Sequence, residues 1–348
     1  MFKIGNKSIG DGHPAFAIAE AGVNHNGELA LAKQLVDKAV WAGADAVKFQ
    51  TFKAEKLVTT YAEKASYQKE NTGNHDESQF DMLKKLELSY NDFIELKAYC
   101  DEKNIIFLST PFDFESASFL KEIGVEAFKF SSGDLTNIPF LQFVARFDKP
   151  IILSSGMSTL GDIEEAVDAI YKSDNNKLAV LHCTSNYPAS IESVNLKAML
   201  TIKNAFNVVG GYSDHTEGIV ISCSAVALGA NIIEKHFTLD KNMEGPDHKA
   251  SLQPEELKEM IDNIRKIESA LGDGIKKYSN NEVDTMKVAR KSIVSSRYIN
   301  KGETISFDCL DYKRPGTGLL PKYYKDLLGK KAKIDISQDE QINFFMVE

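Results

Sequence analysis

The sequence lacks the long apolar runs and the cysteine patterns typical of membrane and secreted proteins. No apolar run approaches the ~18 residues of a membrane-spanning helix, and the amino-terminal Met-Phe-Lys-Ile-Gly-Asn-Lys has no signal-peptide core. The four cysteines lie far apart with no Cys-x-x-Cys, which argues against a disulfide framework and a cysteine zinc site. We therefore expect a cytoplasmic protein with buried thiols and no membrane partner.

The chain also lacks an excess of positive charge and the glycine-rich loops of nucleotide-binding proteins. Its net charge of −9 and pI near 5.4 argue against nucleic acid as the main partner. Neither Gly-x-Gly-x-x-Gly nor Gly-x-x-x-x-Gly-Lys-[Ser/Thr] occurs. From Val288 onward there are 11 basic and 8 acidic side chains, so the negative excess lies before Val288. This asymmetry favours a basic tail that docks on an acidic body.

A regular alternation of short apolar runs and amphipathic segments extends from Ala15 to about Leu271. Such alternation is typical of βα units around a parallel sheet. A closed (β/α)8 TIM barrel is the first prediction, and an open doubly wound α/β sheet is the second. A helix is predicted from Pro254 to the residue before Gly272. The predicted strands are Ala15–Ala19, Ala46–Phe49, Ile105–Leu108, Ala127–Phe130, Ile151–Leu153, Leu178–Leu181, Val208–Gly210 and Ile232–Ile233.

The 348 residues exceed the usual size of one domain, and we assign them to a large and a small domain. Residues 1–271 form the predicted barrel, 272–287 a polar, glycine-containing linker, and 288–348 the small domain. Its predicted strands are Ser292–Val294, Thr304–Ser306 and Asp335–Ile336.

Polar side chains follow the predicted barrel strands, and in such a barrel the loops after the strands carry the chemistry. Lysines are rarely buried without an anion, so Lys48 and Lys129 at strand ends predict a site for a phosphate-bearing substrate. Hydroxyl donors follow other strands at Thr110, Ser132, Ser154 and Ser213. The alternative is solvent-directed lysines and turn-capping hydroxyls, but the pattern over several strand ends favours a site.

Two histidines, His215 and His236, follow the last two predicted strands. Imidazole suits divalent transition metals, and two protein ligands leave positions open for water and substrate, as a catalytic metal requires. Alternatively, His215 caps a helix and His236 is a core histidine, since neither His-x-x-x-His nor His-Glu-x-x-His spacing is present. Asp247 and His248 follow within reach.

A series of motifs along nearly the whole chain resembles the sialic acid synthases, which condense phosphoenolpyruvate with an N-acetylmannosamine-type sugar. No single motif is decisive, but their order and spacing together are highly specific. They are Ala-Glu-Ala-Gly-Val-Asn-His-Asn-Gly, Val-Lys-Phe-Gln-Thr-Phe, Ser-Thr-Pro-Phe-Asp, Phe-Lys-Phe-Ser-Ser-Gly, Ser-Ser-Gly-Met, Leu-His-Cys-Thr, Tyr-Ser-Asp-His, Glu-Lys-His-Phe-Thr and Gly-Pro-Asp-His.

The resemblance implies a TIM barrel followed by an antifreeze-like (SAF, β-clip) domain, in a domain-swapped homodimer whose small domain covers the partner's site. It implies Mn²⁺ or Mg²⁺ on His215 and His236. It implies that the phosphoenolpyruvate contacts are Lys48, Thr110, Lys129, Ser132, Ser154 and Ser213. It implies that the sugar contacts are Glu20, Gln50, Tyr187, Asp247 and, from the partner subunit, Arg314, together with either Asn71 or Asn74.

Two positions depart from the family pattern. Asp134 stands where glutamate is common, and Ser155 where threonine is usual. Both keep the functional group, so the departures concern positioning rather than the reaction. Glu20 and Asp247 are the acid–base candidates, and we expect the nearby lysines and metal to keep them ionised.

The choice of acceptor sugar stays open at this point. N-acetylmannosamine would give N-acetylneuraminate, and 2,4-diacetamido-2,4,6-trideoxymannose would give N,N'-diacetyllegionaminate. A pseudaminate synthase is a further alternative. A different class is a non-catalytic carbohydrate-binding protein, which would leave the lysines and histidines at the strand ends without a role.

Overall fold

A closed barrel of eight parallel strands forms the centre of the first of two units in the computed structural model, which describes residues 1–73 and 76–348. The units span residues 1–272 and 273–348. The strands of the first unit are β1 (Phe2–Ile4), β2 (Lys7–Ile9), β3 (Phe16–Gly22), β4 (Ala46–Thr51), β5 (Ile106–Pro111), β6 (Phe128–Phe130), β7 (Ile151–Ser154), β8 (Leu178–Cys183), β9 (Val209–Asp214) and β10 (Ile232–His236). Strands β3 to β10 follow one another around the barrel, and β10 closes it on β3. The predicted TIM barrel is confirmed, and the open sheet is wrong.

Helices surround the barrel, and their apolar faces pack on the outward side chains of the strands. They are α1 (Leu29–Ala42), α5 (Tyr90–Glu102), α6 (Phe114–Glu122), α7 (Ile138–Ala145), α8 (Leu160–Tyr171), α9 (Lys197–Phe206), α10 (Val220–Ala227) and α11 (Pro254–Leu271). Between β4 and α5 lie α2 (Ala54–Leu57), α3 (Ser66–Thr72) and α4 (Gln79–Leu86), and α2 and α4 contribute to a separate apolar cluster. The helix predicted from Pro254 is confirmed, and it buries Leu257, Met260 and Ile264. Within the two described ranges, none of the helices is long and apolar enough to cross a bilayer.

Alternation along the strands gives the barrel interior an apolar lower layer and a polar upper layer. Ile18, Leu108 and Ile152 lie in a buried apolar cluster inside the barrel. Because side chains two apart on a strand face the same side, the next inward positions along these strands are polar. Those positions are Glu20, Thr110 and Ser154. The polar layer therefore sits at the carboxyl-terminal end of the barrel, above a packed apolar floor.

The sequence did not predict the amino-terminal hairpin of β1 and β2, whose strands are three residues each. Its residues Phe2, Ile4 and Ile9 belong to the same apolar cluster as Phe16 and Ile18 of β3. The hairpin therefore packs against the lower layer of the barrel, away from the polar rim.

The second unit contains helix α12 (Glu282–Ala289) and an antiparallel pair, β11 (Ser292–Ser295) and β12 (Leu310–Lys313). Helix α12 begins within the predicted linker, residues 272–287. Glu282 and Asp284 in its first turn and Lys287 in its last suit the helix dipole. The predicted strands Thr304–Ser306 and Asp335–Ile336 are wrong. Each makes only a single β-bridge, Thr304 with Lys331 and Ile336 with Ile299. Strand β12 was missed.

Candidate active site

A cavity of about 460 Å³ lies at the polar rim of the barrel. Of the thirteen side chains predicted from the sequence, eleven line it. They are Glu20, Lys48, Gln50, Thr110, Lys129, Ser132, Ser154, Tyr187, Ser213, His215 and His236. Asp247 is on the loop after β10, where the charge of His215 acts on its carboxyl. Arg314 belongs to the second unit, and its role stays a prediction.

Two lysines and two carboxylates form a buried cluster at the bottom of this cavity. Lys48 Nζ lies 2.7 Å from Glu20 Oε2 and 3.8 Å from Glu234 Oε2. Lys129 Nζ lies 3.3 Å from Glu234 Oε1 and donates a hydrogen bond to Ser154 Oγ at 2.7 Å. All four charged side chains are at most 5% exposed. Both ammonium groups are thus held inside a dry pocket, where their attraction for an anionic substrate is little screened.

Glu234 was missed by the sequence analysis, although it is the carboxylate that both lysines share. Its Oε1 also accepts a hydrogen bond from Ser213 Oγ at 2.9 Å. The signal was available, because Glu234 precedes His236 by two residues and must face the same side of β10.

The two carboxyl groups differ in their protonation. Burial raises the pKa of Glu20 to about 7, and the Lys48 ammonium opposes this only in part. Burial acts on Glu234 as well, but Lys129 and Lys48 together lower its pKa to about 2. Burial also raises the pKa of Asp247 to about 6. Burial therefore works against the expected ionisation of Glu20 and Asp247, and Glu20 is a group that can exchange a proton near neutral pH.

The two predicted metal ligands, His215 and His236, both line the cavity, and their ring centroids lie 5.6 Å apart. The ring of Tyr187 lies 4.2 Å from that of His215 and 5.7 Å from that of His236. His215 Nδ1 donates to the carbonyl oxygen of Thr184 at 2.8 Å, which leaves Nε2 with its lone pair. His236 Nδ1 is buried and makes no hydrogen bond with the described residues. The alternative interpretations were that His215 caps a helix and that His236 is a hydrogen-bonded core residue. Neither fits these contacts.

The histidine pair fits a divalent cation. Burial, followed by the charge of His215, holds the pKa of His236 well below its ordinary value, so its imidazole is neutral, as a metal ligand must be. Burial alone would lower the pKa of His215, but Cys183, 3.6 Å from Nδ1, and the Thr184 carbonyl raise it above its ordinary value. Within the described ranges, no three His, Cys, Asp or Glu side chains form a metal-ligand group. Any cation here would rest on two protein ligands.

Several hydroxyl and carboxyl groups of the rim make hydrogen bonds within the protein. Ser132 Oγ accepts a hydrogen bond from the Gly156 amide at 2.9 Å. Ser155, which stands where the family usually has threonine, donates from its Oγ to the Leu181 carbonyl at 2.9 Å. Its hydroxyl therefore makes a structural contact. Asp134, the other departure, accepts from Ser131 Oγ at 2.7 Å, and burial raises its pKa.

The loop that carries Asp247 is tied to the loop after β3. Asn26 Nδ2 donates to the Glu244 carbonyl at 2.9 Å, and Asn26 Oδ1 lies 3.1 Å from Nε2 of the buried His248. Asn71 Nδ2 donates to the Pro246 carbonyl at 2.6 Å, and its contact with the sugar stays a prediction. The other candidate, Asn74, lies outside the described residues. These hydrogen bonds fix the loop on both sides of Asp247, and no motif in the sequence indicated them.

Comparison with known proteins shows which family the chain belongs to. The NeuB family matches residues 35–276, and the SAF domain matches residues 290–348. The chain belongs to the NeuB family. The resemblance to sialic acid synthases is thereby confirmed, as are the barrel and the small SAF domain, and NeuB membership makes the chain a nonulosonic acid synthase.

Individual NeuB-type relatives match over nearly the whole chain. The N,N'-diacetyllegionaminic acid synthase of Campylobacter jejuni is 52% identical over 93% of this chain and 98% of its own length. The enzyme of the same name from Legionella pneumophila is 47% identical over 96% and 94%. The human N-acetylneuraminate-9-phosphate synthase is 37% identical over 96% and 93%.

A solved structure shows the same NeuB-type architecture. The sialic acid synthetase of Leptospira borgpetersenii, crystallised with citrate, is 37% identical, covers 82% of this chain and 94% of its own, and superposes with a TM-score of 0.72.

Proposed function

We propose that this nonulosonic acid synthase condenses phosphoenolpyruvate with 2,4-diacetamido-2,4,6-trideoxymannose and water to give N,N'-diacetyllegionaminate and phosphate. N-acetylmannosamine is the less favoured acceptor. The observation that carries the proposal is the buried cluster of Lys48, Lys129 and their carboxylates beside the histidine pair. The choice of acceptor is supported by the two legionaminic acid synthases, which are 52% and 47% identical, against 37% for a pseudaminic acid synthase.

The donor binds as an anion in the lower part of the cavity. Lys48 and Lys129 face its negative charge, and the hydroxyls of Thr110 and Ser154, which accept from these lysines, donate to its oxygens. Thr110 already accepts from Lys48 at 3.1 Å, so the hydroxyl hydrogen is free to point at the substrate. These contacts hold the enol carbon in place and need no covalent bond to a lysine.

The acceptor occupies the upper part, near Gln50, Tyr187 and Asp247. The cavity wall there also includes Phe112 and Met157. An apolar wall favours the C6 methyl group of a 6-deoxy sugar over the hydroxymethyl group of N-acetylmannosamine.

Carbon–carbon bond formation joins the enol carbon of the donor to the aldehyde carbon of the open-chain sugar. Glu20, with a pKa of about 7, gives its proton to the aldehyde oxygen as that oxygen becomes a hydroxyl. The donor's second carbon becomes an oxocarbenium centre, and water adds to it while Glu20 takes back a proton. The new hydroxyl then passes its proton to the phosphate, the carbon–oxygen bond breaks, and the ketone and phosphate form. Mn²⁺ or Mg²⁺ on His215 and His236 would supply Lewis-acid polarisation of the aldehyde.

A side-by-side assay tests the reaction and the acceptor. With phosphoenolpyruvate and each sugar in turn, phosphate release and product mass should show kcat/KM at least about 10-fold higher for the diacetamido sugar, since one methyl-for-hydroxymethyl difference discriminates by about 10- to 200-fold. Equal or greater efficiency with N-acetylmannosamine would contradict the acceptor assignment. Preference for the diacetamido altrose isomer would indicate pseudaminate synthesis, and sugar binding without phosphate release a non-catalytic protein.

Arg314 provides a test of the sugar contact proposed for the small domain. Arg314→Ala should raise the KM for the sugar about 10-fold or more and leave that for phosphoenolpyruvate within about twofold, because a lost charged hydrogen bond costs about 1.5–3 kcal/mol. Lys313→Ala is the matched control, since Lys313 pairs with Asp339 and Asp311 of its own unit. An equal rise in both KM values would remove Arg314 from the sugar site.

A further inference from the structure

A second, larger cavity of about 800 Å³ opens beside the candidate active site. It lies between the loops after β7 and β8 and the start of α9, on the same side of the barrel as the polar rim. Its polar lining includes Thr184, Asn186, Asn195 and Thr201. The proposed reaction does not use these residues.

The charge that lines this cavity, among the described residues, is positive. Lys197 is the charged side chain among the described residues that line it, and no aspartate or glutamate lines it there. Lys197 is exposed and forms no ion pair with the described residues. Other cavities of the barrel unit differ, because one is lined by Glu77 and Glu244 and another by Asp45. Hydroxyl and amide donors around an unpaired ammonium group suit an oxyanion.

The cavity adjoins the candidate active site. Met157, Cys183 and Ser185 line both. At the junction lies Gly156, where an added Cβ would stand 2.2 Å from Ser185 Oγ and 2.8 Å from Ser132 Oγ. The absence of a side chain therefore lets a hydroxyl of the donor site and a hydroxyl of the second cavity approach one another. The next residue, Met157, has a φ of 60°, which side-chain-bearing residues rarely adopt, and such backbone is common at functional sites.

We propose that this cavity is an anion subsite that receives the inorganic phosphate released from the donor. The inference rests on the proposed function. In that reaction, carbon–oxygen cleavage frees phosphate in the lower part of the active-site cavity. The sugar product then fills the mouth of the cavity near Gln50 and Tyr187. Phosphate then passes Ser132 and Ser185 into the side cavity, where Lys197 holds it before it reaches solvent. Product release thus has a route that the nine-carbon product does not block.

Inhibition by inorganic phosphate tests the subsite. With phosphoenolpyruvate varied and sugar saturating, phosphate in the donor site alone raises only the slope of a double-reciprocal plot, whereas phosphate in the side cavity also raises the intercept. The wild-type enzyme should show both effects. Lys197→Ala should raise the intercept inhibition constant about fivefold or more and leave the slope constant within about twofold. Lys172→Ala is the control, since Lys172 is exposed and paired with Asp168 at the far end of α8.

Calorimetric titration with inorganic phosphate alone separates the subsite from the proposed reaction. Lys197-dependent phosphate binding in a protein that does not turn over phosphoenolpyruvate would support the subsite and overturn the proposed function. Turnover as proposed, with purely competitive inhibition or with an intercept effect that Lys197→Ala does not change, would overturn the subsite.

Discussion

His236→Ala is expected to abolish turnover while the protein stays folded. His236 presents a buried nitrogen without a hydrogen-bond partner among the described residues, and its imidazole is neutral, so its loss removes one of two proposed metal ligands. Loss of Lewis-acid assistance amounts to several kcal/mol, and about 4 kcal/mol corresponds to about a 10³-fold fall in kcat. Steady-state kinetics should therefore show a large loss of kcat in the variant, whereas thermal unfolding should show a Tm close to that of the wild-type protein.

Metal binding is measured separately from activity. Mn²⁺ titration followed by electron paramagnetic resonance should show binding to the wild-type protein and much weaker binding to His236→Ala. A chelator should abolish wild-type activity, and added Mn²⁺ or Mg²⁺ should restore it. His13→Ala is the control, because His13 lines a different cavity with Lys7 and Asp45. Full wild-type activity in excess chelator, or normal Mn²⁺ binding by His236→Ala, would remove the metal from the proposal.

The barrel and the positions at its rim could be predicted because both depend on local alternation. Lys48 and Lys129 each stand among apolar residues near the end of a predicted strand, and parallel strands of one barrel must all end on the same side. The same rule also predicts Glu234, but ending the predicted strand at Ile233 hid it. Period-two alternation therefore locates the inward positions, provided that each strand is followed to its last residue.

Pairing and protonation could not be predicted, because they depend on contacts between distant parts of the chain. Asn24 Nδ2 donates to the Phe237 carbonyl at 2.8 Å across 213 residues, and no local pattern signals such a bond. The raised pKa of Glu20 follows from burial, which outweighs the charge of Lys48. A sequence shows the neighbouring charges but not how completely a carboxyl is buried, so the rise in the pKa of Glu20 could not be predicted.

Lys129→Met should lower kcat/KM for phosphoenolpyruvate by about 10³-fold, mostly through KM for this substrate, because a buried charge that faces a multiply charged anion contributes about 3–4 kcal/mol. The loss exceeds that of one attractive charge, since Glu234 then keeps only Lys48, at 3.8 Å, and repels the donor. Progress curves at varied phosphoenolpyruvate measure the effect, and Lys129→Arg should recover part of it by keeping the charge.

Lys235→Met is the control that separates binding from stability. Lys235 is as buried as Lys129 and pairs with Asp214 at 3.0 Å, but it is the neighbour of Glu234 and His236 on β10 and therefore points to the outer face of the strand. Breaking either buried ion pair should lower the free energy of unfolding by about 3–5 kcal/mol. In the fraction of each variant that remains folded, Lys129→Met should change the KM for phosphoenolpyruvate and Lys235→Met should not. If both variants lose stability and neither changes that KM, Lys129 holds the barrel together and does not bind the donor.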